Sequence, residues 1–573
     1  MRYFLLSALI FFIPAFFYGN ESYIRKIQSH MILCDYMSAI EECKEALIKN
    51  PDNKQINALY VKALAFNEEE RKAIDHLENF LEKYKLDNFS KNLIEDVSWR
   101  VLLKGISSDH NFIKFISLIG VGITNDARAV DVLISMLRDS NAVLRSIAVQ
   151  FACNYRDYPL KKEIMRLFKE ERVWFVKLEI IKAIGLLKIE EAKEQLQKII
   201  QNNHATFEEK EIAIDSLVKL YDDLSLEEFN SLVKSPCSGL RELACFVAGY
   251  LKKEEMKEGV KKLLSDPIED VKVAALKVFG TYFYKTFSLE DNVSLLEMSL
   301  SDNNPKVSIV AAWACYKIDT SLAKSYFDNF FKSESLKIQR MAAVSLASTG
   351  KKGVVLSKHL LDSAIDPYVR INLALGLLGQ KENVNESCRV IEEFLDVKKE
   401  LCMWQEKPFR GIFPSKVIHL ENIPNYPTLV DEHTQLNLLS ILTMNGNKSA
   451  KKNLEKFLKK KTWGLAGSAA IAIIQEGDEE SINLIKQILE NEDKDIKLQA
   501  ALILAIVGKE DSAIPVLQEL YQDANRDVKL RILEALGYIS TPQNIEFLVQ
   551  ILKDPFQVLR VIDATAIIQS LNR

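Results

Sequence analysis

The sequence predicts an all-α protein in which antiparallel helix pairs stack side by side to form an α-solenoid. Three observations support this fold class: helix-breaking residues are scarce, the composition is globular, and one helical pattern recurs along most of the chain. Only 20 Gly and 14 Pro occur in 573 residues, which favours long helices joined by short turns. The chain is 48% hydrophobic and 27% charged, so disorder of the whole chain is excluded.

The recurring pattern begins at Asp, reaches Val or Ile beside Lys or Arg, continues with apolar residues at helical spacing and ends at Gly, as in residues 266–280 and 523–537. The Asp is typical of a helix N-cap and the Gly of a helix end. An apolar residue near the start of each second helix recurs every 30 to 36 residues where the pattern is regular. These residues are Phe112, Val143, Val173, Leu240, Val271, Val307, Ile338, Val369, Leu465, Ile496, Val528 and Val558. Because one helix pair cannot bury both of its faces, neighbouring pairs are expected to stack into a continuous core.

Residues 105–573 resemble the HEAT repeat family, in the short bacterial form also seen in repeats of the phycobilisome-lyase type. The pattern of that family is a first helix with Pro near its middle, then Asp-x-x-Val-Arg, then a second helix. Pro515 occupies the Pro position, and the Asp and Arg positions are occupied by Asp139 with Val143 and Arg145, Asp366 with Val369 and Arg370, Asp527 with Val528 and Lys529, and Asp554 with Val558 and Arg560. The resemblance implies a superhelix in which these polar side chains link adjacent repeats by hydrogen bonds. It therefore implies a structural role for them, not a catalytic one.

The segment at 21–104 has a different pattern. Residues 36–53 are similar to a tetratricopeptide helix that ends at a Pro, and two further amphipathic helices are predicted after it. Ala39 and Ala73 are 34 residues apart, which is the period of tetratricopeptide repeats. The alternative is a divergent helical cap on the solenoid.

Residues 1–20 predict an export signal. Arg2 is followed by an apolar run from Tyr3 to Tyr18 and then by the small residue Gly19, which is the order of a secretory signal peptide. The run is short for a membrane span, which needs about 20 apolar residues. We therefore predict export to a bacterial periplasm or cell envelope. In the alternative, residues 1–20 stay attached as an anchor and provide the only contact with the membrane.

The helical pattern is interrupted at 402–430. Four of the 14 Pro fall in this segment, so a long loop insertion is predicted between HEAT-like repeats at 105–401 and 431–573. Its aromatic and Arg side chains are of the types that anchor protein contacts. The predicted partner-binding residues are Trp404, Phe409, Arg410, Phe413 and Tyr426. The alternative is that the loop folds back and fills a gap left by a degenerate repeat, since aromatic side chains are usually buried.

The sequence gives little support for a catalytic function. The sequence has no Gly-x-x-x-x-Gly-Lys, no Gly-x-Gly-x-x-Gly and no His-Glu-x-x-His, and no Gly-x-Ser-x-Gly. His419 and His433 lie near acidic residues, but their spacing matches no zinc signature, so no metal, cofactor or catalytic residue is predicted. The 75 Lys and Arg against 79 Asp and Glu give a net charge of −4, which argues against nucleic acid as a partner.

These observations predict an exported scaffold or adaptor, not an enzyme. Stacked second helices would line a concave surface that binds a protein partner, with the 402–430 loop as a further anchor. Two alternatives stay open. One is a lyase-like protein or chromophore-attachment chaperone, by resemblance to the lyase-type repeats. The other is a structural envelope protein tethered through residues 1–20.

Overall fold

The predicted all-α solenoid is the fold seen in the computed structural model. The structure describes residues 21–84, 86–286, 289–318, 320–397, 402–406, 408–414, 426–458, 463–474 and 479–572. The predicted export signal at 1–20 lies outside these residues. Of the helices described, none is both long enough and apolar enough to cross a membrane.

The chain divides into two compact units. Unit 1 consists of Met1–Glu163 and Asp478–Arg573, and unit 2 is Ile164–Gly477. The helices in the N-terminal part of unit 1 are α1 (21–32), α2 (Tyr36–Lys49), α3 (Lys54–Phe66), α4 (Glu70–Lys83), α5 (Asn88–Ile106), α6 (Asn111–Ile123), α7 (Ala129–Met136) and α8 (Ala142–Ala152), followed by α9 (Tyr158–Glu170), which carries the boundary. The helices in its C-terminal part are α27 (Glu479–Ile488), α28 (Lys494–Ile503), α29 (Ala513–Asp523), α30 (Arg526–Leu536), α31 (Pro542–Ile551) and α32 (Gln557–Leu571).

Unit 2 contains the remaining helices and two strands. Its helices are α10 (Trp174–Leu187), α11 (Lys193–Gln201), α12 (Phe207–Leu220), α13 (Leu226–Val233), α14 (Ser238–Leu251), α15 (Lys257–Leu263), α16 (Glu269–Thr281), α17 (Leu289–Leu300), α18 (Pro305–Tyr316), α19 (Thr320–Phe331), α20 (Leu336–Ala347), α21 (Val354–Ser363), α22 (Pro367–Gly379), α23 (Val384–Val397), α24 (Tyr426–Met444), α25 (Lys448–Leu458) and α26 (Trp463–Ile474). The strands are β1 (Cys402–Glu406) and β2 (Phe409–Phe413). Short 3₁₀ turns occupy Glu190–Ala192, Glu254–Met256, Phe283–Thr286 and Gly350–Gly353 in unit 2, and a π turn occupies Leu504–Gly508 in unit 1.

In the N-terminal segment, equivalent helices begin 34 residues apart, from Tyr36 to Glu70 and from Lys54 to Asn88. Helices α2, α3 and α4 pack against one another in sequence order. The assignment of this segment to tetratricopeptide repeats stays a prediction.

The even-numbered helices from α10 to α22 form what we call the second-helix row of unit 2. Each of them packs on the next even-numbered helix. Local sequence sets where these helices begin. The Asp366 carboxylate accepts hydrogen bonds from the N–H groups of Tyr368 and Val369 at 3.0 Å each, and Pro367 follows at the first helical position, where a missing N–H costs nothing.

Buried ion pairs join one repeat of unit 2 to the next. Arg241 on α14 donates to Asp266 at 2.6 and 2.9 Å, and Arg340 on α20 donates to Asp366 at 3.1 and 2.7 Å. Asp366 therefore links two repeats, but through Arg340 of the preceding repeat and not through Arg370. The Arg370 guanidinium lies 3.4 Å from Glu393 instead.

Lys272 on α16 and Asp302 form the equivalent pair between two other repeats. The hydrogen bond from Lys272, together with one from the Asn304 N–H, lowers the pKa of Asp302. A carboxyl whose pKa is lowered by folding stabilises the folded state above its ordinary pKa. This stabilisation is present at neutral pH and is lost as the pH falls through the lowered value.

In unit 1 the last repeat packs on the first. Helix α32 lies against α5 and α6, and Arg560 on α32 donates to Glu70 on α4 at 2.9 Å. Glu70 also accepts from Lys104 at 2.6 Å, and Lys553 lies 2.9 Å from Asp75. The two ends of the chain are therefore held together by apolar packing and by ion pairs.

Arg340→Ala tests the ion pairs between repeats. The Arg340 and Asp366 side chains are only 18% and 8% exposed, so removing the guanidinium leaves a nearly buried carboxylate without its cation. We expect the free energy of unfolding to fall by about 2–3 kcal/mol, measured by urea denaturation. The control is Arg389→Ala, which removes a 61% exposed guanidinium that pairs within its own helix and should cost less than about 1 kcal/mol. Equal losses in the two variants would contradict this account.

Candidate functional site

The predicted loop at 402–430 is wrong over much of its first half, because Cys402–Glu406 and Phe409–Phe413 pair as a two-stranded β-hairpin. Strands β1 and β2 are antiparallel, with Cys402 opposite Phe413 and Glu406 opposite Phe409. Pro408 falls in the connection between the strands, where a missing N–H breaks no ladder hydrogen bond. Pro427 falls in the first turn of α24, another place where helices accept Pro. The proline spacing predicts the absence of a regular helix, and Pro408 and Pro427 lie instead at the ends of regular elements.

Strand β2 lies against the second-helix row, in contact with α20 and α22. The Phe409 side chain is only 5% exposed. Its ring meets the Trp313 ring edge to face, with centroids 5.2 Å apart, and the Lys277 ammonium is 5.8 Å from its centroid. Ile412 is fully buried. The hairpin is therefore anchored on α16, α18, α20 and α22 by an aromatic and an aliphatic side chain.

Asn372 on α22 holds the main chain of β2. The Ile412 N–H donates to Asn372 Oδ1 at 2.7 Å, and Asn372 Nδ2 donates to the Ile412 carbonyl at 2.9 Å. Asn372 Nδ2 also donates to the Tyr368 carbonyl of its own helix at 2.8 Å, which fixes the orientation of the amide. Sequence reasoning missed this residue. The available signal was a polar side chain inside the apolar stripe of α22.

Gly411 is required where β2 passes closest to the helices. A Cβ at this position would overlap the Val344 side chain and would lie 3.0 Å from Asn372 Oδ1. Beside this close approach, a small cavity of about 40 Å³ remains between the hairpin and the helices. It is lined by Lys277, Lys306, Ile309, Val310, Met341, Val344, Ser345, Phe409 and Phe413.

The structure brings three of the predicted partner-binding residues together on β2, but only one of these side chains is exposed to solvent. Phe409 is buried against this chain, Phe413 is half-buried, and Arg410 is exposed. Trp404 lies in β1 and Tyr426 begins α24, and their side chains fall outside the part of the structure that is described. While the hairpin is seated, Phe409 is not available to a partner.

Helix α14 belongs to the second-helix row and carries two exposed aromatic side chains. Phe246 lies 31 residues before Lys277 on α16 (277 − 246), so the two residues occupy the same position in adjacent repeats. Lys277 contacts the hairpin, whereas Phe246 is 39% exposed and Tyr250, one turn further along α14, is 50% exposed. We call these two residues the α14 aromatic pair.

Charged groups flank the α14 aromatic pair. Burial raises the pKa of Glu242, one turn before Phe246, and the Asp270 carboxylate adds to the rise, while Lys306 and Lys277 oppose it. The surface therefore places a half-buried carboxyl, two aromatic rings and two ammonium groups within reach of one bound segment. Across the described ranges, no group of three or more His, Cys, Asp or Glu is arranged to hold a metal ion.

Comparison with known proteins identifies the repeats. Residues 482–567 match the sequence model of HEAT repeats, so the predicted HEAT resemblance is confirmed there, in the C-terminal part of unit 1. No curated protein matches the chain in sequence.

Several solved structures match this chain, at low identity and low TM-score. The complex of CpcE and CpcF of phycocyanin lyase from Nostoc sp. PCC7120 shares 16% identity over 47% of this chain and 94% of that chain, with a TM-score of 0.26. The myosin chaperone UNC-45 from C. elegans in complex with a Hsp90 peptide shares 12% identity over 97% and 81%, with a TM-score of 0.30. The karyopherin Kap121p bound to the SUMO protease Ulp1p shares 11% over 89% and 80%, with a TM-score of 0.31. At these scores the likeness says nothing about the function of this chain.

Gly411→Ala tests the seating of the hairpin. The added methyl group overlaps Val344, so β2 must lift away from α20 and α22 and expose the peptide bond after Arg410. We expect trypsin to cleave after Arg410 at least tenfold faster than in the wild type, measured by mass spectrometry over a time course. The matched control is Gly467→Ala in α26, where a Cβ meets nothing within 4 Å. That variant should stabilise its helix by up to about 1 kcal/mol and leave cleavage at Arg410 unchanged. Unchanged cleavage in Gly411→Ala would show that the hairpin does not depend on this close approach.

Proposed function

We propose that this protein is an exported, non-enzymatic scaffold that binds a protein partner on the second-helix row of unit 2. The observation that carries the proposal is the α14 aromatic pair. Phe246 and Tyr250 stand exposed in a row of helices whose next members are covered by the hairpin. Exposed aromatic side chains in such a setting are typical of a protein interface.

The chemistry of the surface fits a protein segment. A few residues supply most of the binding free energy at protein interfaces, and aromatic residues are common among them because they bury large apolar areas with few rotatable bonds. Glu242 interacts with Lys277 and Lys306, and the three side chains offer charges of both signs beside the aromatic pair, which can favour one direction of a bound segment. The repeated helix pairs provide a rigid support, so little ordering is needed on this side when the partner binds.

Double substitution of Phe246 and Tyr250 by Ala tests the binding surface. Because each truncation removes an anchor side chain, we expect capture of the partner from cell-envelope extracts by crosslinking pull-down to fall at least tenfold. The control is Val355→Ala, which truncates a 79% exposed side chain on the first helix α21 and should leave capture unchanged. Equal capture by the aromatic double variant and the control, with unchanged circular dichroism in both, would contradict the proposed surface.

The export proposal rests on the apolar run from Tyr3 to Tyr18, and any partner would then lie in the periplasm or cell envelope. We expect the protein isolated from its native source to lack about the first 20 residues, because signal peptides are removed after export. Intact-mass measurement tests this. A mass that retains the apolar run, in a protein recovered with the membrane fraction, would favour the tethered alternative. The same mass in a protein recovered from the cytosol would contradict export.

A further inference from the structure

The hairpin rests on a surface formed by Lys277, Trp313, Val344 and Asn372 on four successive second helices, which we call the seat. The seat contacts the main chain of the hairpin as well as its side chains. Asn372 pairs with the N–H and the carbonyl of one residue, and any residue except Pro presents the same two groups at that position. Such pairing is how folded proteins read extended segments without depending on their sequence.

Two of the four residues that form the seat, Trp313 and Asn372, are oriented by hydrogen bonds to the helical scaffold. The Trp313 indole Nε1 donates to the Ser348 carbonyl at 3.1 Å, and Asn372 Nδ2 is held by the Tyr368 carbonyl. Neither of these bonds involves the hairpin. The seat is therefore expected to keep its shape when the hairpin leaves, which is the condition for binding a different segment with little reorganisation.

The hairpin fits its seat incompletely. A partly open pocket of about 40 Å³ remains beside β2, between the hairpin and the helices, so the hairpin side chains do not fill all the space that the seat offers. A two-stranded hairpin is also only marginally stable by itself. It is therefore held by the rest of unit 2, with β2 against α20 and α22 and β1 against α24.

We propose that the seat is a binding site for an extended segment of the partner protein with an aromatic-x-Gly-aliphatic sequence, and that the hairpin occupies this site in the free protein as an internal competitor. The aromatic residue takes the place of Phe409 beside Trp313 and Lys277. The Gly passes Val344, and the aliphatic residue takes the place of Ile412 at Asn372. The inference rests on the proposed function, because the same segment would continue onto the α14 aromatic pair.

The hairpin and the partner segment compete for the seat, and the partner segment is expected to displace the hairpin. The hairpin is tethered, so its effective concentration at the seat is of millimolar order. A partner displaces it because the partner also gains contacts with Phe246 and Tyr250, which the hairpin does not use. A short free peptide lacks those contacts, so it should bind well only when the hairpin is absent.

The experiment measures binding of one synthetic peptide to the full chain. The probe is a fluorescent peptide with the sequence of residues 408–414, Pro-Phe-Arg-Gly-Ile-Phe-Pro, and the readout is fluorescence anisotropy. In the test variant, residues 402–414 are replaced by a Gly-Ser linker of equal length. We expect the Kd of this variant for the peptide to be at least tenfold lower than that of the wild type. Adding Asn372→Ala to it should raise the Kd at least fivefold, and a peptide with Ala in place of Phe409 should not bind.

Two results would overturn the inference. One is absence of binding to the linker variant when circular dichroism shows that it is folded. The other is equal binding to the wild type and the linker variant, which would place the peptide elsewhere. If the linker variant does not fold, the double substitution Phe409→Ala and Ile412→Ala weakens the resident hairpin and should give the same gain in peptide binding. Absence of that gain in a folded double variant would also overturn the inference.

Failure of this inference can be told apart from failure of the proposed function. Loss of partner capture on substitution of Phe246 and Tyr250, with no peptide binding to the linker variant, leaves the scaffold function standing and removes the seat as a site. Peptide binding at the seat with unchanged partner capture leaves the seat and removes the α14 aromatic pair from the interface.

Discussion

A buried carboxylate shared by two repeats is the interaction on which unit 2 depends. Asp266 and Asp366 each accept N–H groups at the start of a second helix and also bind an Arg from the preceding second helix. A carboxylate removed from water is tolerated only when it is paired and hydrogen-bonded. Each of these residues therefore fixes where a helix begins and how the neighbouring repeat is placed against it, so apolar stacking alone does not set the register.

Close packing of the second helices follows from that placement. Gly280 on α16 lies where a Cβ would press on Trp313 and Ala314 of α18, and Gly376 on α22 lies against Ala347 of α20. Where these helices are drawn together, Phe246, Lys277, Trp313 and Val344 occupy equivalent places on successive helices. Phe246 is exposed, whereas Trp313 and Val344 are buried with the hairpin in place. Trp313 and Asn372 are held by hydrogen bonds within that row, so the surface can accept a strand with defined main-chain contacts. Strand β2 of the hairpin is bound there in this way.

Local patterns in the sequence predicted the helices, because caps, breakers and apolar spacing act over a few residues. The period of 30 to 36 residues and the Asp caps were sufficient for the all-α solenoid. Contacts between distant residues were not accessible in this way. The sequence pattern predicted that Asp366 links adjacent repeats, but it did not indicate that Arg340 of the preceding repeat is its partner. Asn372 meets Ile412 across 40 residues, and Arg560 meets Glu70 across 490.

The central claim is that the second-helix row of unit 2 faces the partner, and site-specific photo-crosslinking in living cells tests it most directly. A photoreactive amino acid, p-benzoylphenylalanine, would replace Tyr250 on α14 in one variant and Val355 on α21 in another, since both positions are exposed. This account predicts a discrete crosslinked protein band from position 250 and none from position 355. A band from position 355 with none from position 250 would contradict it and would move the interface to the first helices.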